Sequence, residues 1–421
     1  MKATMKHSHL TAGIFLIGSL LSSQSNATDG YFSHGYGVKS QATGGVGIAL
    51  AQDSLVIASN PAGTVWLDDR LDAGLSWFGP SRSADITDNK VPGANGHYDG
   101  NDTKNFWLPE FGYLKRLSPS TTLGLAVYGN GGMNTDYKKS PFTAFGGQGS
   151  AGINLEQLFI SPSLAYKINE NHSIGAAVNL AYQRFSAKGI NLFSSSSIAP
   201  ANVSDQGTDT STGLGVRLGW TGKINENITL GAAWASKTNT SGFDRYRGLF
   251  ANNGGFDIPE NYGIGIAIKT TPSLTLAADL QQIKYSSISS VSNPLSNLFS
   301  GNPLGSANGP GFGWRDVTVF KAGAVYEYNS TLSLRAGYNH SGQPIPAEQT
   351  FFNILAPGVV QNHLTFGSTF KTGNGEISLA FTHGFNKTVN GSNSIPGVFG
   401  GGNANVALRE NIIGIAYGLK L

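Results

Sequence analysis

The chain has 421 residues, and only 13% of them carry a charge, about half the usual ~25% of a soluble globular protein. Glycine is abundant, with 57 residues, and cysteine is absent, which suits a chain exported through an oxidising compartment. The formal net charge is +3, and Lys2 and Lys6 near the amino terminus contribute two of these charges, so the charge balance argues against a nucleic-acid partner.

The amino terminus has the three parts of a secretory signal peptide. Lys2 and Lys6 form a basic region, residues 10–21 an apolar stretch, and residues 25–27 a small-residue cleavage site. We therefore expect residues 1–27 to be removed. Beyond them no run approaches the ~18 consecutive apolar residues of a membrane helix, so any crossing of a membrane must be made by strands closed on themselves.

Residues 28–68 form a glycine-rich segment without the period of a membrane strand. A stretch around residues 48–52 is compatible with a short helix, and the sequence Asn60-Pro61-Ala62-Gly63 lies near the end of the segment. Because its apolar residues do not alternate, we expect this segment to form no part of a barrel wall.

Residues 69–421 contain segments of roughly ten residues in which apolar side chains occupy every second position. Within residues 214–220, four apolar residues alternate with Gly215, Arg217 and Gly219. A lipid-facing apolar side and a polar inner side are typical of transmembrane strands. We predict an all-β fold, a transmembrane antiparallel β-barrel of about 14 strands. The predicted strands lie near residues 70–78, 105–117, 121–129, 153–168, 172–185, 212–223, 228–238, 260–270, 274–285, 315–328, 332–339, 362–371, 376–386 and 407–420.

The connections between these segments alternate in length. Short turns such as residues 118–120 and 169–171 alternate with long segments such as residues 130–152 and 286–314. Bacterial outer-membrane barrels have short periplasmic turns and long external loops. We therefore expect both ends of the mature chain to face the periplasm of a bacterial cell.

A barrel of ~14 strands is too wide to be filled by its own side chains, yet narrower than an open porin. Several inward positions of the predicted strands are small, among them Gly175, Gly219 and Gly231, and they leave room inside the wall. We therefore predict that residues 28–68 are a plug inside the barrel that residues 69–421 form.

Three segments stand out in this arrangement: residues 40–49 (Ser-Gln-Ala-Thr-Gly-Gly-Val-Gly-Ile-Ala), the triplet Asn60-Pro61-Ala62, and residues 125–137 (Leu-Ala-Val-Tyr-Gly-Asn-Gly-Gly-Met-Asn-Thr-Asp-Tyr). Placed behind a signal peptide and among about fourteen strands, they resemble the FadL/TodX family of outer-membrane transporters for hydrophobic compounds. The resemblance implies capture at the external loops, transfer into an apolar pocket, a shift in the plug, and lateral exit through a gap opened by a kink in the third strand.

The resemblance also implies the partners of the protein. It indicates a monomer in the bacterial outer membrane that takes up a long-chain fatty acid or hydrocarbon ligand and releases it into outer-membrane lipid. Such diffusion needs neither a cofactor nor an energy source.

The first candidate site is Asn60-Pro61-Ala62-Gly63, which the resemblance assigns to a gate in the plug. Proline fixes its φ angle and lacks a backbone donor, while an asparagine side chain bonds nearby backbone groups. A stiff constriction is therefore physically reasonable. The alternative is an ordinary turn.

The second candidate site is a lateral opening at Gly129, Gly131 and Gly132. Glycine clusters permit bulges and sharp bends that interrupt strand pairing. In the neighbouring strand, Pro162 lacks a ladder donor. The alternative is that Gly131 and Gly132 begin an external loop.

The third candidate set consists of charged residues on the predicted lumen face: Arg217, Asp279, Lys321 and Arg335. The basic members offer donors to the carboxylate of a fatty acid. The alternative, and the more common role of such residues, is to bond the plug or each other across the lumen.

Enzyme signatures are absent from the sequence. The histidines beyond the signal peptide have no metal-ligand spacing, and no Gly-x-Ser-x-Gly elbow is present. We therefore expect no catalytic residue, no metal and no cofactor. Three other functions stay open: a general diffusion porin for polar solutes, an outer-membrane lipid-modifying enzyme whose catalytic pair is assembled in space, and an adhesin or surface receptor, which only the long loops suggest.

Overall fold

The computed structural model describes residues 29–421, so the predicted signal peptide lies outside the described residues. Fourteen long antiparallel strands pair in chain order, and the last pairs with the first from Arg70 opposite Lys420 to Thr87 opposite Asn403. The predicted barrel of about 14 strands is confirmed. The strands are β1 (Arg70–Thr87), β2 (Phe106–Ser118), β3 (Thr121–Tyr137), β4 (Ala151–Lys167), β5 (His172–Lys188), β6 (Asp209–Lys223), β7 (Ile228–Ala235), β8 (Asn261–Thr271), β9 (Leu274–Ile283), β10 (Val317–Glu327), β11 (Leu332–Ser341), β12 (Asn362–Thr372), β13 (Gly375–Val389) and β14 (Asn403–Lys420).

The two faces of the wall differ as the sequence period predicts. In β14, Ile413, Ile415 and Tyr417 are exposed on the outside, whereas the alternating positions of the strands face inward and are largely buried. An apolar outer surface is stable only against lipid, because water would be ordered around it at a cost of ~25 cal/mol per Å². The period-two pattern therefore fixes which side of each strand faces the membrane.

The connections have the predicted alternation of lengths. At one end the strands are joined by residues 119–120, 168–171, 224–227, 272–273, 328–331 and 373–374. Three of these turns share one device, since the side chains of Asn169, Asn225 and Asn329 each accept hydrogen bonds from backbone N–H groups two and three residues further along. Asparagine stabilises tight turns in this way.

The long connections at the other end pack into an apolar core of their own. Phe193 contacts Phe142, Phe352 and Phe399 with ring centroids 5.0 to 6.0 Å apart. These loops carry short helical turns and two short strands. The turns lie at Thr143–Phe145, Asn191–Ser196, Pro200–Asn202, Asp244–Tyr246, Ala251–Gly254, Tyr285–Ser287, Ser289–Ser292, Leu295–Ser300, Ala347–Gln349, Thr350–Asn353 and Gly397–Phe399, and the strands at Gly96–Asp99 and Asn239–Thr240.

Several strands extend further than predicted. The expected ends of β1 near residue 78 and of β3 near residue 129 are wrong, because β1 continues to Thr87 and β3 to Tyr137. In these extensions the outward positions become polar, as at Ser81, Ser83 and Asp85. The ladder therefore continues beyond the apolar band, where the lipid-facing period is absent.

Residues 29–68 are called the plug segment. Residues 29–65 are largely buried against the inner face of the wall, and Asp68 is exposed at the short-turn end. The plug segment contains one α-helical turn, Val38–Gln41, and two 3₁₀ turns, Ser54–Ala58 and Pro61–Trp66. The helix expected around residues 48–52 is absent, because the N–H and C=O groups of Ile48 are bonded by side chains from elsewhere. None of the helices among the described residues is both long and apolar enough to cross a membrane.

Candidate functional site

Carboxylates of the wall hold the plug segment by its backbone. The Asp279 carboxylate on β9 accepts hydrogen bonds from the N–H groups of Gly47 and Ile48, at 2.8 and 3.0 Å. On β2, Glu110 accepts from Val38 at 2.9 Å. Buried backbone N–H groups need a hydrogen-bond partner, and the wall supplies it to this irregular segment, so these contacts fix the path of the plug segment.

The other predicted lumen charges also bond the plug segment. The Arg217 guanidinium donates to the Ser59 carbonyl at 3.3 Å, and the Lys321 ammonium donates to the His34 carbonyl at 2.9 Å. Arg335 donates to the Gln52 side chain at 2.9 Å. The structure thus places Arg217, Asp279, Lys321 and Arg335 against the plug segment, as the structural alternative expects.

A buried ion-pair network joins the plug segment to the wall near the short-turn end. The Glu376 carboxylate lies 2.5 Å from the Lys39 ammonium and 2.6 Å from the Arg70 guanidinium. Arg70 also forms two hydrogen bonds to Asp72, at 2.6 and 2.8 Å, and Asp72 accepts from the Ser54 N–H. None of the sequence-predicted site residues belongs to this network, although its inward-facing charges on β1 and β13 were a usable signal.

The sequence Asn60-Pro61-Ala62-Gly63 is tied to the wall. Asn60 is fully buried, and its amide donates to the carbonyls of Ile48 and Trp220 at 2.7 and 2.9 Å, while its oxygen accepts from the Ala62 N–H. A side chain at Gly219 of β6 would occupy the space of the Asn60 amide, which explains the glycine. The gate assignment stays a prediction.

The wall has a gap between β2 and β3. Their ladder runs from Ser118 opposite Thr121 to Phe111 opposite Val127 and ends there, although both strands continue. Beyond the gap, Asp102 donates its N–H to the Asp136 carbonyl, so the wall closes again. The wall gap therefore lies between residues 106–110 of β2 and residues 128–135 of β3.

The predicted glycines lie at this gap. Gly129, Gly131 and Gly132 lie within β3, and its register against β4 shifts between Gly129 and Gly131. They do not begin an external loop. At the shift, the plug segment approaches the free edge of β3, where Gly132 donates to the Tyr31 carbonyl at 3.0 Å. A side chain at Gly131 would collide with that same carbonyl, so only glycine fits.

A cavity of about 410 Å³ connects the lumen with the wall gap, within the ~300–1,000 Å³ of small-molecule sites. Its inner lining includes Tyr31, Phe32 and Leu408, which are buried, and its outer lining includes Trp107 and Tyr182, which are exposed on the lipid-facing side. The cavity thus reaches the outer surface through the wall, and most of the named lining is apolar or aromatic.

Comparison with known proteins identifies the family to which this barrel belongs. Residues 24–417 match the model of the family described as outer membrane protein transport protein (OMPP1/FadL/TodX). The chain belongs to this family. It is therefore an outer-membrane β-barrel whose short turns face the periplasm, and the resemblance seen in its sequence is confirmed.

Individual relatives of this FadL/TodX-family barrel are distant. The long-chain fatty acid transport protein of Escherichia coli (strain K12) is 22% identical over 406 residues, covering 81% of this chain and 84% of that protein. The toluene transporter TodX of P. putida has a TM-score of 0.68 at 16% identity, covering 92% of this chain and 99% of that one. A FadL homologue of Pseudomonas aeruginosa has a TM-score of 0.69 at 15% identity, covering 93% and 99%. At such identities the structural likeness shows the fold.

The gate assignment in this FadL/TodX-family barrel predicts a leak when Asn60 is shortened. Asn60→Ala removes the donor to the buried Ile48 carbonyl and to the partly buried Trp220 carbonyl. Leaving a buried acceptor unpaired costs about 1–3 kcal/mol and loosens the plug segment. We expect a several-fold rise in single-channel conductance to small ions in a planar bilayer. Asn329→Ala, at an exposed turn, is the control and leaves conductance unchanged. Equal conductance of both variants would remove the gate assignment.

Proposed function

We propose that this barrel admits long-chain fatty acids or other small hydrophobic compounds passively across the outer membrane. They enter the cavity and leave sideways through the wall gap into outer-membrane lipid. The observation that carries the proposal is the unpaired stretch between β2 and β3, because it gives the cavity an outlet at the lipid-facing surface. The relatives named as long-chain fatty acid and toluene transporters support the same class of cargo.

The chemistry of the route suits an apolar cargo. Phe78, Phe106, Met133 and Leu158 line the cavity together with Trp107. An apolar molecule that moves from this cavity into lipid stays out of water throughout, so no energy source is needed. An apolar molecule crosses the polar external leaflet poorly. By this route it passes through the inside of the barrel and leaves through the wall gap, so it does not have to cross that leaflet.

We propose that three segments of the chain have different roles. Residues 1–27 are removed on export, residues 28–68 act as the plug, and residues 69–421 form the wall. Because β1 and β14 pair with each other, the barrel closes within one chain and needs no strand from a second copy. We therefore propose that the protein works as a monomer.

The porin alternative conflicts with the contents of the lumen. Charged and backbone contacts hold the plug segment on several sides of the barrel, through β2, β9 and β10. A porin needs a water-filled axial channel, which this segment occupies.

The proposed function is tested by uptake into cells that lack their own fatty-acid uptake protein. Expression of this chain is expected to raise the rate at which radiolabelled oleate reaches the envelope of energy-depleted cells several-fold, because transfer into lipid needs no energy. An unchanged rate, together with a large steady single-channel current from the purified protein, would establish the porin alternative instead. Turnover of labelled phospholipid would establish the enzyme alternative.

A further inference from the structure

A buried arginine joins β1 to β3 at the end of the wall gap that lies nearer the long loops. Arg82 lies on β1 and is only 3% exposed, yet its guanidinium donates to the backbone and side-chain oxygens of Asn134 on β3, at 2.9 and 2.6 Å. It also donates to the Thr103 carbonyl and contacts the face of the Phe106 ring. Arg82 lines the 410 Å³ cavity.

The charge of Arg82 has no carboxylate of its own. Its hydrogen-bond acceptors are amide oxygens, and within residues 29–421 no carboxylate forms an ion pair with it. Asp99 and Asp136 lie close enough to attract it, but Asp136 pairs with Lys188 at 2.8 Å and Asp99 accepts from Asn101. A buried cation without a paired anion is costly, so a ligand carboxylate would be stabilised here.

Along the barrel axis, Arg82 lies at the level where the apolar outer band ends and polar side chains begin. Its partner Asn134 lies opposite Asn154 of β4, two residues beyond the rung formed by Gly132 and Glu156. On the outer surface Glu156 forms an exposed ion pair with Arg184 at 3.1 Å. These polar side chains mark the upper end of the apolar band.

Below this level the outer surface is apolar. Ile160 of β4 and Leu180 and Tyr182 of β5 are exposed to lipid, as is Trp107 beside the gap. An amphiphile that lies in the wall gap with its hydrocarbon chain against this band would place its headgroup beside Arg82.

From this arrangement we propose that Arg82 recognises the carboxylate of an anionic amphiphile at the wall gap. It thereby sets a preference for fatty acids over uncharged compounds of the same chain length. The inference rests on the proposed function, because it names the headgroup that the same opening selects. A guanidinium offers paired donors to a carboxylate, and here the Nη1 nitrogen of Arg82 donates to both oxygens of Asn134, a pair of acceptors that a carboxylate can replace.

The sequence had suggested other residues for this role. Arg217, Lys321 and Arg335 each donate to the plug segment, and none of the three lines the cavity. Arg82 escaped notice because it lies beyond the expected end of β1, in a stretch assigned to a loop.

The test compares two ligands that differ only in the headgroup, oleate and oleyl alcohol. Binding of each radiolabelled ligand to the purified full-length mature chain, reconstituted in lipid vesicles, is measured for the wild type and for Arg82→Met. A charge-assisted bond predicts that the wild type prefers oleate by about tenfold or more. Arg82→Met should lose this preference while binding oleyl alcohol within about twofold of wild type.

Arg315→Met is the matched control. Arg315 is an exposed arginine paired with Glu348 at 3.0 Å, and it is not part of the cavity lining, so its loss should keep the preference for oleate. Equal loss of both ligands in Arg82→Met would make Arg82 only a structural tie across the gap and overturn the inference. A wild type without a headgroup preference would overturn it whether or not the variant folds. Binding of neither ligand by the wild type would contradict the proposed function itself.

Discussion

Gly129→Phe is expected to lower the uptake of radiolabelled oleate by about tenfold or more, because it fills the mouth of the wall gap. A side chain at Gly129 would point toward the Leu108 side chain, 3.8 Å away, across ordinary van der Waals space. A Cβ atom at this position therefore meets no clash, and the larger phenyl ring attached to it would occupy the route itself. Uptake is measured in cells with equal amounts of each variant in the outer membrane.

Two variants separate blockage from a general effect of substitution. Gly129→Ala adds one methyl group in the same place and should keep most of the uptake. Leu123→Phe adds an aromatic ring on the same outer face of β3, where the ladder is complete on both sides, and should transport normally. If Gly129→Phe transports as well as these two, the wall gap is not the route.

Arg70→Met is expected to lower the free energy of unfolding by about 3–5 kcal/mol, the usual cost of breaking a buried ion pair from one side. Arg70 is the centre of the network near the periplasmic end, where it bonds Asp72 twice and Glu376 once. Without it Asp72 loses its ion-pair partner, and Glu376 keeps only the Lys39 ammonium among the partners in the described residues. The free energy is measured by urea unfolding in lipid vesicles.

The control for this prediction is a second arginine at the same end of the barrel. Arg116 is exposed and donates to the Leu67 carbonyl at 3.1 Å, so Arg116→Met should change the free energy by less than about 0.5 kcal/mol. Similar values for the two variants would show that the network does not stabilise the plug segment in the wall.

The barrel was predictable because lipid imposes a simple rule on sequence. Each strand needs an apolar side chain at every second position where it faces lipid, and short turns, three of them built around an asparagine, connect paired strands at the periplasmic end. The rule ends where the lipid ends. The outer parts of β1 and β3 extend to Thr87 and Tyr137 with polar residues at their outward positions, so the lipid-facing pattern could not reveal them.

The candidate site was predictable only in part. Gly129, Gly131 and Gly132 were found because a glycine cluster breaks strand pairing wherever it occurs. Where β3 has no pairing with β2, Phe32 of the plug segment pairs with Gly131 instead. A local sequence pattern cannot predict a contact between residues about a hundred positions apart. Arg70 and Glu376 are likewise joined only by the closure of the barrel, so their network appears only in the folded chain.

The most direct test of lateral transfer is photo-crosslinking with a long-chain fatty acid that carries a diazirine near the end of its hydrocarbon chain. The reconstituted protein is illuminated with this ligand, and the labelled residues are identified by mass spectrometry. Lateral transfer through the wall gap predicts labels on residues 106–109 and 129–133, the two edges of the gap. Labels concentrated on residues 68–69 and 116–119, at the periplasmic end of the barrel, would mean axial exit and contradict it.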